Sequence, residues 1–551
     1  MTMTWKAGLS INEETKEIEY MDCQIQYVPY EATGYFSQII LDYLHAQPQL
    51  QPFYQYPPHE ADIEYIIQQR KQFPFYRNLL TDELLAQYAG MSLHEKVKEN
   101  ILSLRQENTF TVCTAHQPNL FTGYLYVIYK IIHAIRLAET LNERYPAYHF
   151  VPVYFMGSED NDLQELGTLY LSGQYFRWET MQKGAVGRMK PEGLSQMIDE
   201  IVRLLPPTTH AHRLMDLFKE AYLNHADIQT ATLYLCNALF GEYGLVIFIP
   251  DRPAFKQAMI PVFEEELLHQ TTFHVVQQSI EQLSRHYPVQ AHPREINLFY
   301  LDQQLRERIV KNGQTWKVLH TPISWDVNTL RHWIHEHPEQ ISPNVMLRGI
   351  MQEKLLPNLV FIGGGGELSY WLELKKLFHH FQVHYPLLML RSSWLWIPEK
   401  TYRLMQRLHI TCADVFSHPD SLIRKYVMEE AGSEISLQAY RSQIDALFQQ
   451  IAQQASSIDS TLIASVKAAR VRTQHLLENL ELKMLRAQKK KMHIQTTQIQ
   501  RMHNQLFPEH HLQERIENFL PYYAQYGPDF LRSIHHHLDP FRNAFTVAVY
   551  A

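Results

Sequence analysis

Cysteine is scarce in this chain. Only Cys23, Cys113, Cys236 and Cys412 occur in 551 residues, and no two form a CxxC pair. That spacing excludes a disulfide-stapled scaffold and a zinc ribbon, fits a reducing compartment, and makes zinc an unexpected cofactor; no metal ligand set is assigned. Positive charge is short as well. With 50 basic residues against 58 acidic ones and a net charge of -8, there is no general basic field to gather nucleic acid, so no nucleic-acid partner is expected. No uninterrupted apolar run reaches the ~20 residues that cross a bilayer. The N-terminus also lacks the basic-then-apolar pattern of a secretory leader. A cytoplasmic protein with no membrane association is the expectation. One further absence is regional: no proline or glycine occurs from 436 to 505, where Gln, Lys, Arg, Glu, Leu and Ile dominate, and long helices are the comfortable reading.

What is present points to an α/β core. A chain of this length holds more than one structural unit. The run Thr111-Val112-Cys113-Thr114-Ala115 reads as a strand that breaks into the polar loop His116-Gln117-Pro118-Asn119-Leu120-Phe121-Thr122-Gly123. Leu125, Ile128, Ile132 and Ile135 then recur at helical spacing, with Lys130, Arg136 and Glu139 off that stripe. A second apolar run, His149 to Phe155, ends in Gly157-Ser158-Glu159-Asp160-Asn161-Asp162. In open α/β sheets ligands bind outside the carboxyl ends of the strands, so His116, Gln117, Asn119, Asp160 and Asp162 are expected to share one crevice.

Further strands are expected at Gly244 to Pro250, at Leu359 to Ile362 running into Gly363-Gly364-Gly365-Gly366, and at Tyr385 to Leu390 before Arg391. The layout predicted is an N-terminal part of the core over 1–163, a mainly helical insertion over 164–240, and the rest of the core over 241–395. A small antiparallel insertion is expected around 290–345. A helical arm over 396–507 and a C-terminal segment over 508–551 packing back on the core complete it. Within the arm, Ile444, Leu447 and Ile451, and Leu477, Leu480, Met484 and Ala487, keep heptad spacing, which predicts an antiparallel coiled-coil hairpin. Arg486 with Lys489, Lys490 and Lys491 reads as its solvated face. Cys113 sits in an apolar strand and reads as a small buried residue rather than a nucleophile.

Several ordered motifs together resemble a known family. They are Thr114 to Gly123 with Tyr129-Lys130, Val151-Pro152-Val153 followed by Glu159-Asp160-Asn161-Asp162, the run Gly363 to Lys375, and Tyr526-Gly527-Pro528-Asp529-Phe530. They resemble the cysteine-adding ligases of bacillithiol biosynthesis over essentially the whole chain. The resemblance implies a Rossmann-like core related to class I aminoacyl-tRNA synthetases, two connecting insertions and a coiled-coil arm that makes a homodimer. It implies addition of L-cysteine to the amine of glucosaminyl malate. This chain departs from the family pattern at Ala115-His116, where Gly-Gln is usual, at Asn161, where His is frequent, and at Gly365, where Pro is frequent.

Amide formation from a carboxylate is uphill in water, so an activating nucleotide, ATP-Mg, is expected from the chemistry although no nucleotide motif is present. The catalytic candidates are His116 and Gln117, as donors to a phosphate oxygen, and Asp160 and Asp162, for a ribose hydroxyl, an ammonium or a metal-bound phosphate. Substrate or nucleotide contacts are expected from Asn119, Thr122, Gly123, Gly363, Gly364, Gly365, Gly366, Glu367, Tyr370, Arg348 and Arg391. Competing local roles are capping for Ser158, Asp160 and Glu367, core packing for Tyr370 and Trp371, and neutralisation of internal acids for both arginines. Two other functions stay open from the sequence. One is a different nucleotide-dependent amide-forming ligase or nucleotidyl transferase on this scaffold; the other is a non-catalytic coiled-coil scaffold.

Overall fold

The computed structural model describes residues 21–58 and 62–550; the leader reading falls on residues 1–20, outside the described residues. Five strands form the central sheet: β1 (Thr109–His116), β2 (His149–Met156), β3 (Val246–Phe248), β4 (Asn358–Gly363) and β5 (Leu387–Leu390). All neighbours are parallel, in the lateral order β5-β4-β1-β2-β3. The chain steps outward from β1 through β2 to β3, then returns to the other side of β1 for β4 and β5. The direction of winding therefore reverses between β1 and β4, and that is where such a sheet opens a crevice at its carboxyl edge.

Helix α1 (Leu125–Arg144) joins β1 to β2, α2 (Val345–Leu355) precedes β4, and α3 (Gly365–His380) joins β4 to β5. Both faces of the sheet are covered, which is why β1 is buried along its length except at His116 and β4 is buried throughout. Helix α1 departs from the one-striped pattern expected of it. Every residue from Val127 to Ile135, Lys130 included, is buried. The cause is a second cover from the C-terminal half: His133 Nε2 lies 2.9 Å from the Pro540 carbonyl, and Trp396 Nε1 donates to Tyr129 Oη at 3.0 Å.

The 164–240 insertion is helical, with Leu194–Leu204, Thr209–Leu223 and Ile228–Phe240, but opens with a hairpin of Thr168–Leu171 and Gln174–Arg177. The later insertion is an antiparallel sheet in which Leu298–Leu301 lies between Arg306–Asn312 and Ile341–Pro343, with Thr315–Val318 and Ser324–Trp325 beyond.

The expected boundary at 395/396 cuts a strand. Trp394–Pro398 runs parallel to Phe545–Tyr550, whose other edge pairs with Cys23–Val28. This three-stranded sheet holds the C-terminal segment to the core, so the arm proper begins only at α4 (Pro419–Ile435). It continues as α5 (Gln438–Ile458), α6 (Leu462–Lys491) and α7 (His493–Leu506). Helices α5 and α6 are antiparallel: Arg441 meets Glu481 at 2.5 Å, while Asp445, one turn further along α5, meets Arg470, three turns earlier on α6, at 3.7 Å. The heptad stripe is only partly their seam: Ile444, Leu477 and Met484 are half-buried, but other members are not. Leu447, Ile451 and Leu480 are 53%, 38% and 47% exposed, because two helices lying side by side can cover only one flank of each other. Among the described residues, no helix is long and apolar enough to cross a membrane.

Candidate active site

The carboxyl ends of β1, β2 and β4 open on a cavity of about 350 Å³ at the switch point. Of the residues expected there, His116, Gln117, Asp160, Arg348, Gly364, Gly365, Gly366, Glu367, Tyr370 and Arg391 line it. Gly363 stands just behind as the last residue of β4, its carbonyl accepting from the Arg391 N–H at 2.8 Å.

Asn119, Thr122, Gly123 and Asp162 lie outside the lining. The first three build the turn between β1 and α1, where Phe121, Thr122 and Gly123 have φ of 54°, 65° and 71°. Such a backbone persists only when its surroundings over-determine it. Here the Phe121 N–H donates to Tyr222 Oη at 2.8 Å, and Asn518 Nδ2 donates to the Phe121 and Gly123 carbonyls. Asn119 occupies the space a Gly123 side chain would need, an added Cβ falling 2.7 Å from Asn119 Cβ. Asp162 is exposed and accepts the Glu165 N–H at 3.0 Å as the cap of a one-turn helix, so local capping accounts for it.

The β2 exit is braced by the insertion. Val186 N–H donates to the Asp160 carbonyl at 2.7 Å, and Gly187 N–H to the Ser158 carbonyl at 2.9 Å. A Cβ at Gly187 would stand 2.4 Å from that Ser158 oxygen, a backbone atom that must then move. Gly187→Ala is expected to cost about 1–3 kcal/mol as an overpacking change and to lower activity through the displaced Asp160; equilibrium denaturation and steady-state kinetics on the variant check both.

Charge around the cavity is mostly paired off. Lys130 Nζ contacts Glu367 Oε2 and the Ala115 carbonyl, both at 2.5 Å, and Glu367 Oε2 also accepts the Gly364 N–H at 2.9 Å. The capping reading of Glu367 thus holds, with a buried lysine added that reading Lys130 as off the stripe did not foresee. Glu159 pairs with the buried Lys256 at 2.5 Å. Arg391 donates to Glu514 at 2.7 Å and to Ser393 Oγ at 3.0 Å, so its charge is spent on an internal acid. Tyr370 Oη accepts from Arg348 Nη2 at 2.5 Å, while Trp371 stacks on Phe361 in the core.

Three cations are left without a carboxylate in ion-pair range among the described residues: Arg306, Arg348 and Arg515. Asp160 and Glu165 are the lining acids with no cationic partner; Asp160 accepts from Gln117 Nε2 at 3.1 Å and from the Asp162 N–H at 3.2 Å. Burial, reinforced by Lys130, Arg348 and Arg391, holds the His116 imidazole well below its usual range, so it is neutral at pH 7. Its Nε2 is buried with no hydrogen-bond partner in the fold. The site therefore offers a neutral imidazole, guanidinium groups with no carboxylate partner for anions and a carboxylate with no cationic partner for an ammonium. Cys113 is fully buried with its thiol pushed well above the ordinary range, which excludes it as a nucleophile.

Lys256, Arg306 and Arg515 were not singled out from the sequence, and Lys130 was named there only as an off-stripe residue and part of a family motif. A lysine flanked by Tyr129 and Ile131 within an otherwise apolar helix was the one available signal. Arg306 and Arg515 arrive from remote segments and carried none.

Below the glycine loop, Glu373 of α3 accepts from the Gln290 and Ala291 N–H groups at 2.9 and 3.3 Å. Burial pushes its carboxyl up to about 7 against those two bonds. An acid whose folded value is raised binds its proton more tightly folded than unfolded. Its contribution to stability therefore falls as pH rises from the unfolded value of about 4.5 to about 7. Glu373→Gln, which fixes a neutral amide there, is expected to shrink the stability difference between pH 5 and pH 8 in urea melts; an unchanged difference would remove Glu373 from the account.

The fold is that of a Rossmann-like α/β protein with a coiled-coil domain appended. The description "Bacillithiol biosynthesis BshC, N-terminal Rossmann-like domain" matches residues 23–392, and "Bacillithiol biosynthesis BshC, C-terminal coiled-coil domain" matches residues 394–550. A protein of Flavobacterium johnsoniae is 38% identical over 522 residues, 94% of this chain and 98% of that one. Proteins of Flavobacterium psychrophilum (37%; 95% of this chain, 99% of that one) and Christiangramia forsetii (36%; 95% and 98%) are similar over comparable lengths. All three carry the name "Putative cysteine ligase BshC". The chain belongs to the BshC family of bacillithiol biosynthesis.

Proposed function

We propose that this protein joins L-cysteine to the amine of glucosaminyl malate to form bacillithiol in the cytoplasm, with ATP-Mg as the activating nucleotide. The observation that carries this reading is the switch-point cavity, where unpaired guanidinium groups and an unpaired carboxylate stand together in a chain of the BshC family.

ATP, when bound, supplies activation of the cysteine carboxylate. Arg348, Arg515 and the free first-turn N–H groups of α3 are the anion-binding groups suited to its phosphates, and Glu367 does not oppose them because Lys130 neutralises it. His116, neutral and facing the cavity, accepts or donates one hydrogen bond without adding charge. Asp160, aimed by Gln117, receives the acceptor ammonium and takes its proton, freeing the nitrogen lone pair. The carbon–nitrogen bond then forms at the cysteine carbonyl, and the activated carboxyl oxygen leaves. The exposed apolar side chains Leu447 and Ile451 of α5 and Leu476 and Leu480 of α6 are what we assign to a homodimer contact, which sedimentation of a Leu476→Glu/Leu480→Glu variant tests.

The deciding experiment is a mass-spectrometric assay of purified protein with glucosaminyl malate, cysteine and ATP-Mg. Bacillithiol is expected, and release of AMP or of ADP identifies the mode of activation. No product from folded protein, or product with another amino acid or amine instead, overturns this reading.

A further inference from the structure

Beside the main cavity lies a second, shallower one of about 270 Å³, and the two share Asp160, Arg306, Asn344 and Val345. Its remaining lining includes Arg294, Arg308 and His292, on or next to the antiparallel insertion. Arg306 is the bridge. Its guanidinium is held entirely by neutral acceptors: Ser342 Oγ at 3.1 Å, Asn161 Oδ1 at 3.2 Å and the Pro343 carbonyl at 3.3 Å, with the Phe299 ring centroid 4.0 Å away. Four uncharged neighbours fix this half-buried cation in place, and Asp160 and Glu159 act on it only through space. Among the described residues, Arg294 and Arg308 have no carboxylate within ion-pair distance either. Glu307, the acid beside Arg308, is engaged by His320 at 3.1 Å and by the Arg308 N–H. Asp160 is the carboxylate of the annex and stands at its inner end.

We infer that this annex is the subsite for a dicarboxylate group of the amine acceptor, with Arg306 fixing its near carboxylate and Arg294 and Arg308 its far one. The inference rests on the proposed function and specifies which part of the molecule binds which end of the site. The order of charge carries it. Where the two cavities meet stand an anion, Asp160, and a cation, Arg306, and the annex beyond adds two further cations, Arg294 and Arg308. An acceptor with an ammonium at one end and two carboxylates at the other is the complementary pattern, and only one orientation satisfies both ends. A nucleotide fits the annex poorly, because its base needs an enclosed apolar slot and the annex is open and carries three arginines.

The test compares wild type with Arg294→Gln/Arg308→Gln, whose side chains are exposed and whose fold is expected to be intact, and with Arg306→Gln. Each variant is expected to raise KM for glucosaminyl malate about 10- to 100-fold, the worth of one or two charge-assisted hydrogen bonds, with KM for cysteine and ATP within about twofold. Glucosamine, which has the amine but no carboxylates, is expected to react equally slowly with wild type and variants. A rise confined to the KM of ATP marks a phosphate site and overturns the inference, as does no rise at all. Calorimetric titration of glucosaminyl malate needs no turnover and keeps this separate from the functional reading. Binding to wild type that is lost in the double variant supports the annex even if no ligation occurs, and equal or absent binding in both overturns it.

Discussion

Asp160→Asn is expected to lower kcat/KM by about 100-fold or more, the usual range for removing a positioned proton acceptor, with no change in unfolding midpoint. The fold tolerates the change because the side chain keeps an oxygen to accept from Gln117 or from the Asp162 N–H, and because its carbonyl stays bonded to Val186. What is lost is the one feature an amide cannot supply, the negative charge that the proposed function uses to hold an ammonium and remove its proton. Steady-state kinetics beside a denaturation curve separates the two effects. Unchanged turnover would take this carboxylate out of the mechanism, and an unfolded variant would make it structural.

The second large effect is at Lys130. Its ammonium is 1% exposed and ties two strand ends together: the Ala115 carbonyl at the end of β1 and, through Glu367, the Gly364 N–H after β4. These are the two sides of the switch point, so one side chain sets the width of the cavity between His116 and the glycine loop. Lys130→Met removes the cation and leaves a carboxylate still three-quarters covered. Breaking a buried pair in this way costs about 3–5 kcal/mol, and the partial exposure of Glu367 places this case at the lower end. Removing both charges is less costly than removing one. Lys130→Met/Glu367→Gln is therefore expected to regain much of the stability while remaining poorly active, since neither variant side chain restores the link between Ala115 and Gly364. A double variant as unstable as the single one would show that packing of the lysine stem, not the charge pair, is what matters.

Much of the candidate site was legible locally. The strand exits leading to His116, Asp160 and Gly364 are marked by β-branched or apolar runs breaking into polar or glycine-rich loops, and a parallel sheet puts those breaks on one edge. Asn119, Thr122, Gly123 and Asp162 were grouped with them for the same reason, and the grouping failed for a specific one. A loop residue next to the site can serve the turn itself: Asp162 caps its own short helix, and the 119–123 turn is held by Tyr222 and Asn518, about 100 and 400 positions away. Arg391 shows the same limit, since its partner Glu514 lies 123 residues on and the sequence cannot say which acid an arginine will neutralise.

The sequence by itself determined the class of fold, the succession of core strands and insertions, the helical arm and the family, because each follows from short-range periodicity, composition or ordered motifs. Tertiary structure alone decided the lateral order of the strands and hence where the crevice opens. It decided that Lys130 is buried beneath it, that Trp394–Pro398 belongs with the C-terminal strand rather than the arm, and that Arg306 and Arg515 reach the cavity. These are pairings between distant segments, where the free energy of a contact depends on which partner arrives, and no local pattern records that.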